Sequence, residues 1–248
     1  MDEKNNGELL YNKILEEAKA DEAILGFFLT AGRGKGMVTE KSDYDAFLIV
    51  RDDKAQEYKA KYEKQRIQSI FDLLVFSLAE FREYAKIGNA EEWDRYNFAH
   101  LKAQVDKDGI QDLIDEKGKM PEEKIREVVE SNLGGYFNLY YRSQKNYRDG
   151  NFLASHLDGA ESMTYFLTAL FAMNGRMRPY NKYLEWELKT FPLEKTTWKA
   201  EDLIMKINTI VSSGDMEAQD ELFRKSRELF SANDFVQTII DWKECFPE

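Results

Sequence analysis

The sequence contains very little cysteine and very little histidine. Of its 248 residues, Cys245 is the single cysteine, and His100 and His156 are the two histidines. One thiol excludes an intrachain disulfide and a zinc site built from several cysteines. Two imidazoles exclude a metal centre built from several histidines. The chain is therefore neither a disulfide-stabilised protein nor a zinc protein of the Cys- or His-rich type.

The sequence also lacks a run of basic residues. Lys and Arg number 35 against 46 for Asp and Glu, so the formal net charge is -11. Binding to a long nucleic acid requires clustered positive charge, so we expect no such partner, and a template-independent polymerase is disfavoured. A cationic small substrate would suit this charge, although a solvated acidic surface is the commoner explanation of it.

A signal peptide and an apolar segment of membrane length are both missing from the sequence. We therefore predict a cytoplasmic protein with no membrane partner. The hydrophobic content of 43% allows a sizeable core and argues against disorder.

The first half of the chain mixes strand and helix patterns. Short apolar runs predict strands, and charged or amphipathic stretches without Gly or Pro predict helices. The predicted strands are Ile24–Leu29, Asp45–Val50, Phe71–Ser77 and a short Ala103–Lys107. The predicted helices are Glu8–Ala20, Lys54–Ser69 and Leu78–Ile87.

The second half has helical patterns throughout. Pro121 followed by acidic residues is typical of a helix start. Helices are predicted at 122–149, 151–174, 180–190, 200–212 and 216–245, the last broken near Ser231, and the pair Gly134 and Gly135 is expected to kink or split the first of them. The fold class is therefore α+β, with a mixed-sheet domain at residues 1–118 followed by an all-helical domain at residues 119–248.

A glycine-rich turn joins the first two predicted strands. It contains Gly32, Gly34 and Gly36, with Lys35 between the last two. The pattern G-x-G-x-G is one residue short of the dinucleotide-binding fingerprint, and it lacks the Gly-Lys-Ser/Thr of a Walker A loop. The glycines alone indicate no more than a flexible connection.

Three aspartates change that interpretation. Asp43 and Asp45 are two residues apart, so on an extended chain their side chains point to the same side. Asp72 is at the start of the third predicted strand and would join them if that strand is a neighbour. Oxygen ligands of this kind suit Mg²⁺, although each aspartate taken singly is also an ordinary residue at a strand entrance.

The span Leu29–Val50 resembles the DNA polymerase β-type nucleotidyltransferase superfamily, whose pattern is a glycine turn followed by Asp-x-Asp. The match is carried by Gly32, by Asp43 and Asp45 after ten intervening residues, and by the strand that contains Asp72. Ala31 departs from the pattern, because the family has glycine there. The helical half, and the segment 171–183 in particular, resembles the aminoglycoside and lincosamide nucleotidyltransferases.

The resemblance implies a reaction in which a substrate hydroxyl attacks the α-phosphorus of a nucleoside triphosphate. Two Mg²⁺ ions would be held by Asp43, Asp45 and Asp72, and Asp72 could instead act as the base. The amides of Gly32 and Arg33 would bind the terminal phosphates, with Lys35 and Ser42 nearby.

Three residues of the helical half are further candidates. Glu161 falls near the apolar stripe of Leu153, Leu157, Thr164 and Phe171, where burial would raise its pKa and make it a general base; a structural Glu paired with an Arg is the alternative. Tyr180 and Lys182 follow a helix end and could reach the triphosphate, or could belong to a solvated turn.

The expected function is transfer of a nucleotidyl group, with ATP the expected donor, to a hydroxyl of a small molecule such as an aminoglycoside-like antibiotic. Two alternatives stay open. One is an antitoxin-like protein adenylyltransferase, and the other is a nucleotide-binding module with weak or no turnover. A homodimer that shares an acceptor site is compatible with this domain organisation.

Overall fold

The computed structural model describes residues 3–65 and 70–241 of the chain. Backbone contacts divide it into two compact units, Met1–Lys119 and Met120–Glu248. The division falls one residue after the boundary predicted from the sequence.

A four-stranded mixed sheet forms the centre of the first unit. The strands are β1 (Ile24–Leu29), β2 (Tyr44–Val50), β3 (Phe71–Ser77) and β4 (Val105–Asp106), and their order across the sheet is β3-β2-β1-β4. β1 pairs antiparallel with β2 and with β4, whereas β2 and β3 are parallel. The predicted strands β1 and β3 match these bounds at both ends, and β4 is shorter than predicted.

Helices cover both faces of this sheet. Alternate side chains of each strand point to opposite faces, so each face carries apolar side chains that the helices bury. Tyr44, Ala46 and Leu48 of β2 face one apolar cluster, and Phe47 and Ile49 face the other. The helices of this unit are α1 (Glu3–Ala20), α2 (Ala31–Gly34), α3 (Ala55–Lys61), α4 (Leu78–Glu83), α5 (Arg95–Phe98) and α6 (Ile110–Lys117).

Two predicted helices of the first unit end earlier than the sequence pattern indicates. The helix predicted at Lys54–Ser69 ends at Lys61 and is followed by a 3-10 turn, Glu63–Gln65; residues 66–69 lie outside the described part. The helix predicted at Leu78–Ile87 ends at Glu83 because Tyr84 has an extended ψ of 136° and Ala85 a φ of 55°. Side-chain pattern alone does not reveal such backbone reversals.

The regular secondary-structure elements of the second unit are all helices in the part of the chain that the structure describes. Its helices are α7 (Glu122–Arg148), α8 (Phe152–Met173), α9 (Leu184–Thr190), α10 (Ala200–Ser213), α11 (Met216–Ala232) and α12 (Val236–Asp241). The predicted break near Ser231 is confirmed, since α11 ends at Ala232 and Asp234 has a φ of 69°. The end of the last predicted helix, residues 242–245, lies outside the described residues.

The longest helices, α7 and α8, pack closely together. Of the kink or split predicted at Gly134 and Gly135, the split does not occur, because α7 is one helix from Glu122 to Arg148. Instead, a Cβ at position 135 would lie only 2.4 Å from Cδ1 of Tyr165 on α8. Gly135 therefore permits a close approach between α7 and α8.

No helix within the described ranges, 3–65 and 70–241, is long and apolar enough to span a membrane.

Candidate active site

Two of the three predicted aspartates lie side by side on neighbouring strands. Asp45 of β2 and Asp72 of β3 are direct register partners in the parallel pair, so both side chains leave the same face of the sheet. Tyr44 points the other way into the core, with 8% of its surface exposed, while Asp45 and Asp72 are half-buried. Asp43, the residue before β2, is exposed. The sheet thus brings the positions 45 and 72 together at the point where both strands begin.

The glycine turn is tied to the same point. Where β1 ends, the amide of Thr30 donates to the carbonyl oxygen of Asp45 at 2.8 Å. The chain then turns at Ala31, which has a left-handed φ of 49°, and forms the single-turn helix α2. A side chain at Gly34 would lie 2.4 Å from the carbonyl oxygen of Leu29, so this close return of the chain requires glycine. The loop expected from the glycines is therefore a compact helical turn beside Asp45.

Gly32 and Arg33 lie in the first turn of α2. Amides in the first turn of a helix have no acceptor within that helix. The predicted role of these two amides, binding to phosphate, remains a prediction.

The side chain of Arg33 braces the segment that carries the acids. Its Nε donates to the carbonyl oxygen of Asp43 at 2.7 Å, and its Nη2 donates to that of Ser42 at 2.9 Å. The guanidinium carbon also lies 3.7 Å from the centre of the Tyr44 ring. A planar guanidinium is suited to this combination of a two-point hydrogen bond and ring stacking. Arg33 therefore holds the backbone of residues 42–44 in position.

Ser42 is part of a tight turn immediately before the acids. Its Oγ accepts from the amide of Thr39 at 2.8 Å and lies 3.1 Å from the Thr39 hydroxyl oxygen. Such side-chain-to-backbone bonds are typical of Ser and Thr in turns. The predicted position of Ser42 near a phosphate remains a prediction.

Lys35 does not present its ammonium group to a phosphate in this structure. The side chain is buried, with 7% of the residue exposed, and Nζ donates to the carbonyl oxygens of Tyr96, Asn97 and Ala99 at 3.2, 3.2 and 2.5 Å. These carbonyls lie at the end of α5, where helix geometry leaves carbonyl oxygens without partners. The structure therefore gives Lys35 a structural contact, and its placement beside the phosphates stays a sequence-based prediction.

The remaining candidates belong to the second unit. Glu161 is exposed on α8, and Leu153 and Leu157, two members of its supposed apolar stripe, are 75% and 61% exposed. The burial assumed for Glu161 is therefore wrong, because α8 buries a different face that contains Phe166 and Leu170. Tyr180 and Lys182 lie at the turn before α9, where the ammonium of Lys182 is 4.6 Å from the centre of the Tyr183 ring.

The fit of this region to Mg²⁺ depends on its donor groups and their arrangement. Carboxylate oxygens are the ligands that Mg²⁺ prefers, and the register brings Asp45 and Asp72 together. Across the part of the chain that the structure describes, however, no three or more His, Cys, Asp or Glu side chains are grouped so that they could hold a metal ion. The donor chemistry and the strand register fit the ion, and the complete carboxylate cluster remains a prediction.

Two contributions to this region were not predicted from the sequence. From the sequence, a role was assigned to the backbone amide of Arg33 and none to its side chain, and Gln104 was not included. Oε1 of Gln104 accepts a hydrogen bond from the amide of Leu29 at 2.9 Å and so gives this amide at the end of β1 an acceptor. The contact of Gln104 joins residues 75 positions apart along the chain, so no local pattern in the sequence could have revealed it.

Comparisons with known proteins give a similarity to solved structures. No family model matches the chain, and no curated protein matches it. Among solved structures, the chain is similar to a nucleotidyltransferase-like protein from Exiguobacterium sibiricum, with 12% sequence identity and a TM-score of 0.38, over 88% of this chain and 76% of that one. A TM-score of this size does not establish a common fold.

Proposed function

We propose that this chain is a nucleotidyltransferase that transfers a nucleoside monophosphate from a nucleoside triphosphate, with ATP as the expected donor, to a hydroxyl group. The observation that carries the proposal is the register of Asp45 opposite Asp72 on parallel neighbouring strands. The turn that follows β1 is hydrogen-bonded to the backbone of Asp45, so a triphosphate bound at the turn would lie beside these carboxylates.

The reaction forms one bond and breaks one bond at the α-phosphorus. The acceptor oxygen bonds to phosphorus, the bond to the β-phosphate bridging oxygen breaks, and pyrophosphate leaves. The hydroxyl proton passes to a base, for which Asp72 is our candidate because of its position opposite Asp45.

Asp43, Asp45 and Asp72 would hold Mg²⁺, which supplies stabilisation of negative charge on the attacking and leaving oxygens. The contribution of Arg33 is to fix the backbone of Asp43 through its hydrogen bond to that carbonyl. The amides of Gly32 and Arg33 are our candidates for contacts to the terminal phosphates.

For the acceptor we propose a small cationic molecule with several hydroxyl groups, of the aminoglycoside type. The net charge of -11 supports this choice, because it favours encounter with a cation. A homodimer that shares the acceptor site is also compatible with this proposal.

The test is Mg²⁺-dependent pyrophosphate release with each nucleoside triphosphate and a panel of hydroxylated acceptors. We expect Asp45→Asn and Asp72→Asn to lower the rate by about 100-fold or more, as is typical when a group that stabilises transition-state charge is removed. The matched control is Asp53→Asn, beyond the opposite end of β2, where the carboxylate is exposed and paired with Arg51 at 2.8 Å. Equal rates for Asp45→Asn and the control would refute the proposed site.

A second candidate is a nucleotide-binding module without turnover. Two observations favour it. Ala31 has a φ of 49°, a conformation that favours glycine, and the ammonium group of Lys35 is hydrogen-bonded to backbone carbonyls. Binding of Mg-ATP that raises the melting temperature, without pyrophosphate release with any acceptor, would select this candidate. Transfer of α-labelled phosphate to a protein in lysate would instead select a protein adenylyltransferase.

A further inference from the structure

A groove runs between α10 and α11 of the second unit. Gly214 and Asp215 alone connect these two helices, so they form an antiparallel hairpin. The groove encloses a volume of about 690 Å³, a size at which proteins bind small molecules. Its lining comes from the first half of α10, from the second half of α11 and from the segment Thr196–Trp198 that precedes α10.

A group of ion pairs closes one end of the groove. Of the lining residues, Lys206 and Glu221 are the nearest along the chain to Gly214, and their side chains form an ion pair. Lys225 bonds to the same carboxylate at 2.7 Å. The hydrogen bonds from both lysines lower the pKa of Glu221 to about 2. Two ammonium groups around one carboxylate leave one positive charge, so this end of the groove disfavours a cation.

The other end of the groove is open and exposes apolar side chains. Met205 is 62% exposed, and Trp198 and Leu229 are half-buried. The indole of Trp198 has an edge contact with the buried Phe166, at 5.5 Å between ring centroids, so the core of the unit holds it in the groove wall. These side chains leave apolar surface in water, and a bound molecule would cover it.

The open end is also acidic. Asp202, in the first turn of α10, is exposed and forms none of the ion pairs found among the described residues. Glu228 is exposed as well and pairs at 3.5 Å with Arg224, which is outside the lining. Because both lysines of the lining are bonded to Glu221, the charge that remains for a ligand is the carboxylate of Asp202.

We propose that this groove binds a small organic cation with an apolar body, such as an arylalkylamine. Its ammonium group would lie between Asp202 and the indole of Trp198, attracted by the carboxylate and by the face of the ring. Its body would cover Met205 and Leu229. An anion fits less well, because the ammonium groups that it requires are bonded to Glu221. A cation with many hydroxyl groups also fits less well, because it would not bury the apolar side chains. The proposal does not depend on nucleotide chemistry.

The test titrates three molecules of similar length into the whole protein: phenylbutylamine, the neutral phenylbutanol and the anionic phenylbutyrate. NMR signals of the Trp198 indole N–H and the Met205 methyl group report binding, and the exposed Trp93 of the first unit is the internal control. We expect the amine to bind with a dissociation constant of about 1 mM, typical of so small a ligand. The other two molecules should bind about fivefold more weakly or less. Unchanged signals of Trp198 and Met205, or equal binding of all three molecules, would overturn the proposal.

A pair of charge variants tests the role of Asp202. Asp202→Asn should weaken binding of the amine by about fivefold and leave binding of phenylbutanol unchanged. The matched control is Glu201→Gln, which removes an exposed charge from the same helical turn but outside the lining. Equal weakening by both variants would assign the effect to net charge and would contradict a specific contact with Asp202.

A second pair of variants tests whether the amine occupies the groove. Met205 is exposed, so Met205→Lys should fold, and its ammonium group should repel the ligand and weaken binding by about tenfold or more. The control Val211→Lys adds the same charge to α10 at a position that is 45% exposed and outside the lining. Binding of the amine that is as strong in Met205→Lys as in this control would show that the ligand lies elsewhere.

Discussion

Ala31 has a backbone conformation that favours glycine. Its φ of 49° lies in the left-handed region, where the Cβ of an L-residue approaches the following carbonyl oxygen. Ala31 is the first residue of α2 and is separated from the end of β1 by Thr30 alone, beside the candidate active site. Backbone strain of this kind persists only where the surrounding structure imposes it. Here the bond from Thr30 to Asp45 and the close return at Gly34 restrict the turn from both sides.

Replacing Ala31 by glycine should therefore stabilise the protein. The left-handed conformation costs alanine about 1–2 kcal/mol, and the greater freedom of glycine in the unfolded chain offsets about 0.5–1 kcal/mol of that gain. We expect Ala31→Gly to raise the free energy of unfolding by about 0.5 kcal/mol, as measured by urea denaturation.

The control is the same substitution inside a regular helix. Ala160→Gly in the middle of α8 should lower the free energy of unfolding by about 1 kcal/mol. Opposite signs for the two substitutions are the expected result, and a loss of stability in both would show that the turn does not strain Ala31.

At the level of secondary structure, buried Lys and Arg side chains cap short helices of the first unit by donating hydrogen bonds to carbonyl oxygens at the helix ends. Lys35 donates to carbonyls at the end of α5, Lys117 to those of Arg82 and Tyr84 at the end of α4, and Arg95 to that of Glu116 in α6. The last carbonyls of a helix have no intrahelical partner and carry a partial negative charge. A buried ammonium or guanidinium group satisfies several of them at once.

Lys117 makes the stability of the first unit dependent on pH. Burial lowers the pKa of its ammonium group to about 8, whereas the unfolded chain retains the ordinary value of 10.5. Between these values the unfolded state binds more protons than the folded state, so the free energy of unfolding rises with pH, by up to about 1.4 kcal/mol per pH unit. This contribution is complete above pH 10.5 and is lost as the pH falls through about 8.

Denaturation between pH 7.5 and 9.5 would measure this rise and avoid ionisation of tyrosine. We expect Lys117→Met to remove most of the increase and the exposed Lys102→Met to leave it in place. Above pH 10 the trend should reverse, because burial raises the pKa of Tyr62 to about 12 and the unfolded chain ionises first. An unchanged slope in Lys117→Met would contradict the assignment.

The elements of this fold differ in how far the sequence predicts them. β1 and β3 are short, mainly apolar runs, and the bounds predicted for them agree with the structure at both ends. The turn at Gly32 was expected to be a loop, but it contains the short helix α2. Two hydrogen bonds shape it: the amide of Thr30 donates to the carbonyl oxygen of Asp45, and the amide of Gly34 donates to that of Thr30. The early end of α4 likewise depends on Ala85 and on the distant Lys117.

The same distinction applies to the candidate site. Two acids two residues apart on a strand share a side for purely local reasons, so Asp43 and Asp45 could be selected from the sequence. The pairing of Asp45 with Asp72 requires β3 to be the neighbour of β2, which the sequence could only suggest. The burial of Lys35 was not foreseen, because it depends on contacts with residues 96–99, about 60 positions away along the chain. The exposure of Glu161 was not foreseen either, because it depends on which face of α8 packs against the rest of its unit.

At the level of the whole molecule, each unit has an apolar core of its own. One large cluster contains only residues from Met120 to Ile239, among them Tyr136, Phe166 and Phe230. Two smaller clusters lie on the two faces of the sheet and use only residues between positions 10 and 114. A unit with its own core meets the main physical requirement for folding alone.

We therefore predict that fragments 1–119 and 120–248 fold independently when produced separately. Each should show cooperative thermal unfolding by circular dichroism and dispersed amide signals in NMR spectra, because its buried apolar residues are all retained. The matched controls are shortened fragments. Fragment 134–248 loses Val129 and Leu133, and fragment 1–104 loses Val105, Ile110 and Ile114, all of them buried. These controls should give broad, non-cooperative transitions. Non-cooperative unfolding of 120–248 itself would mean that its core is insufficient without the first unit, and the predicted boundary after residue 118 would then not separate two domains.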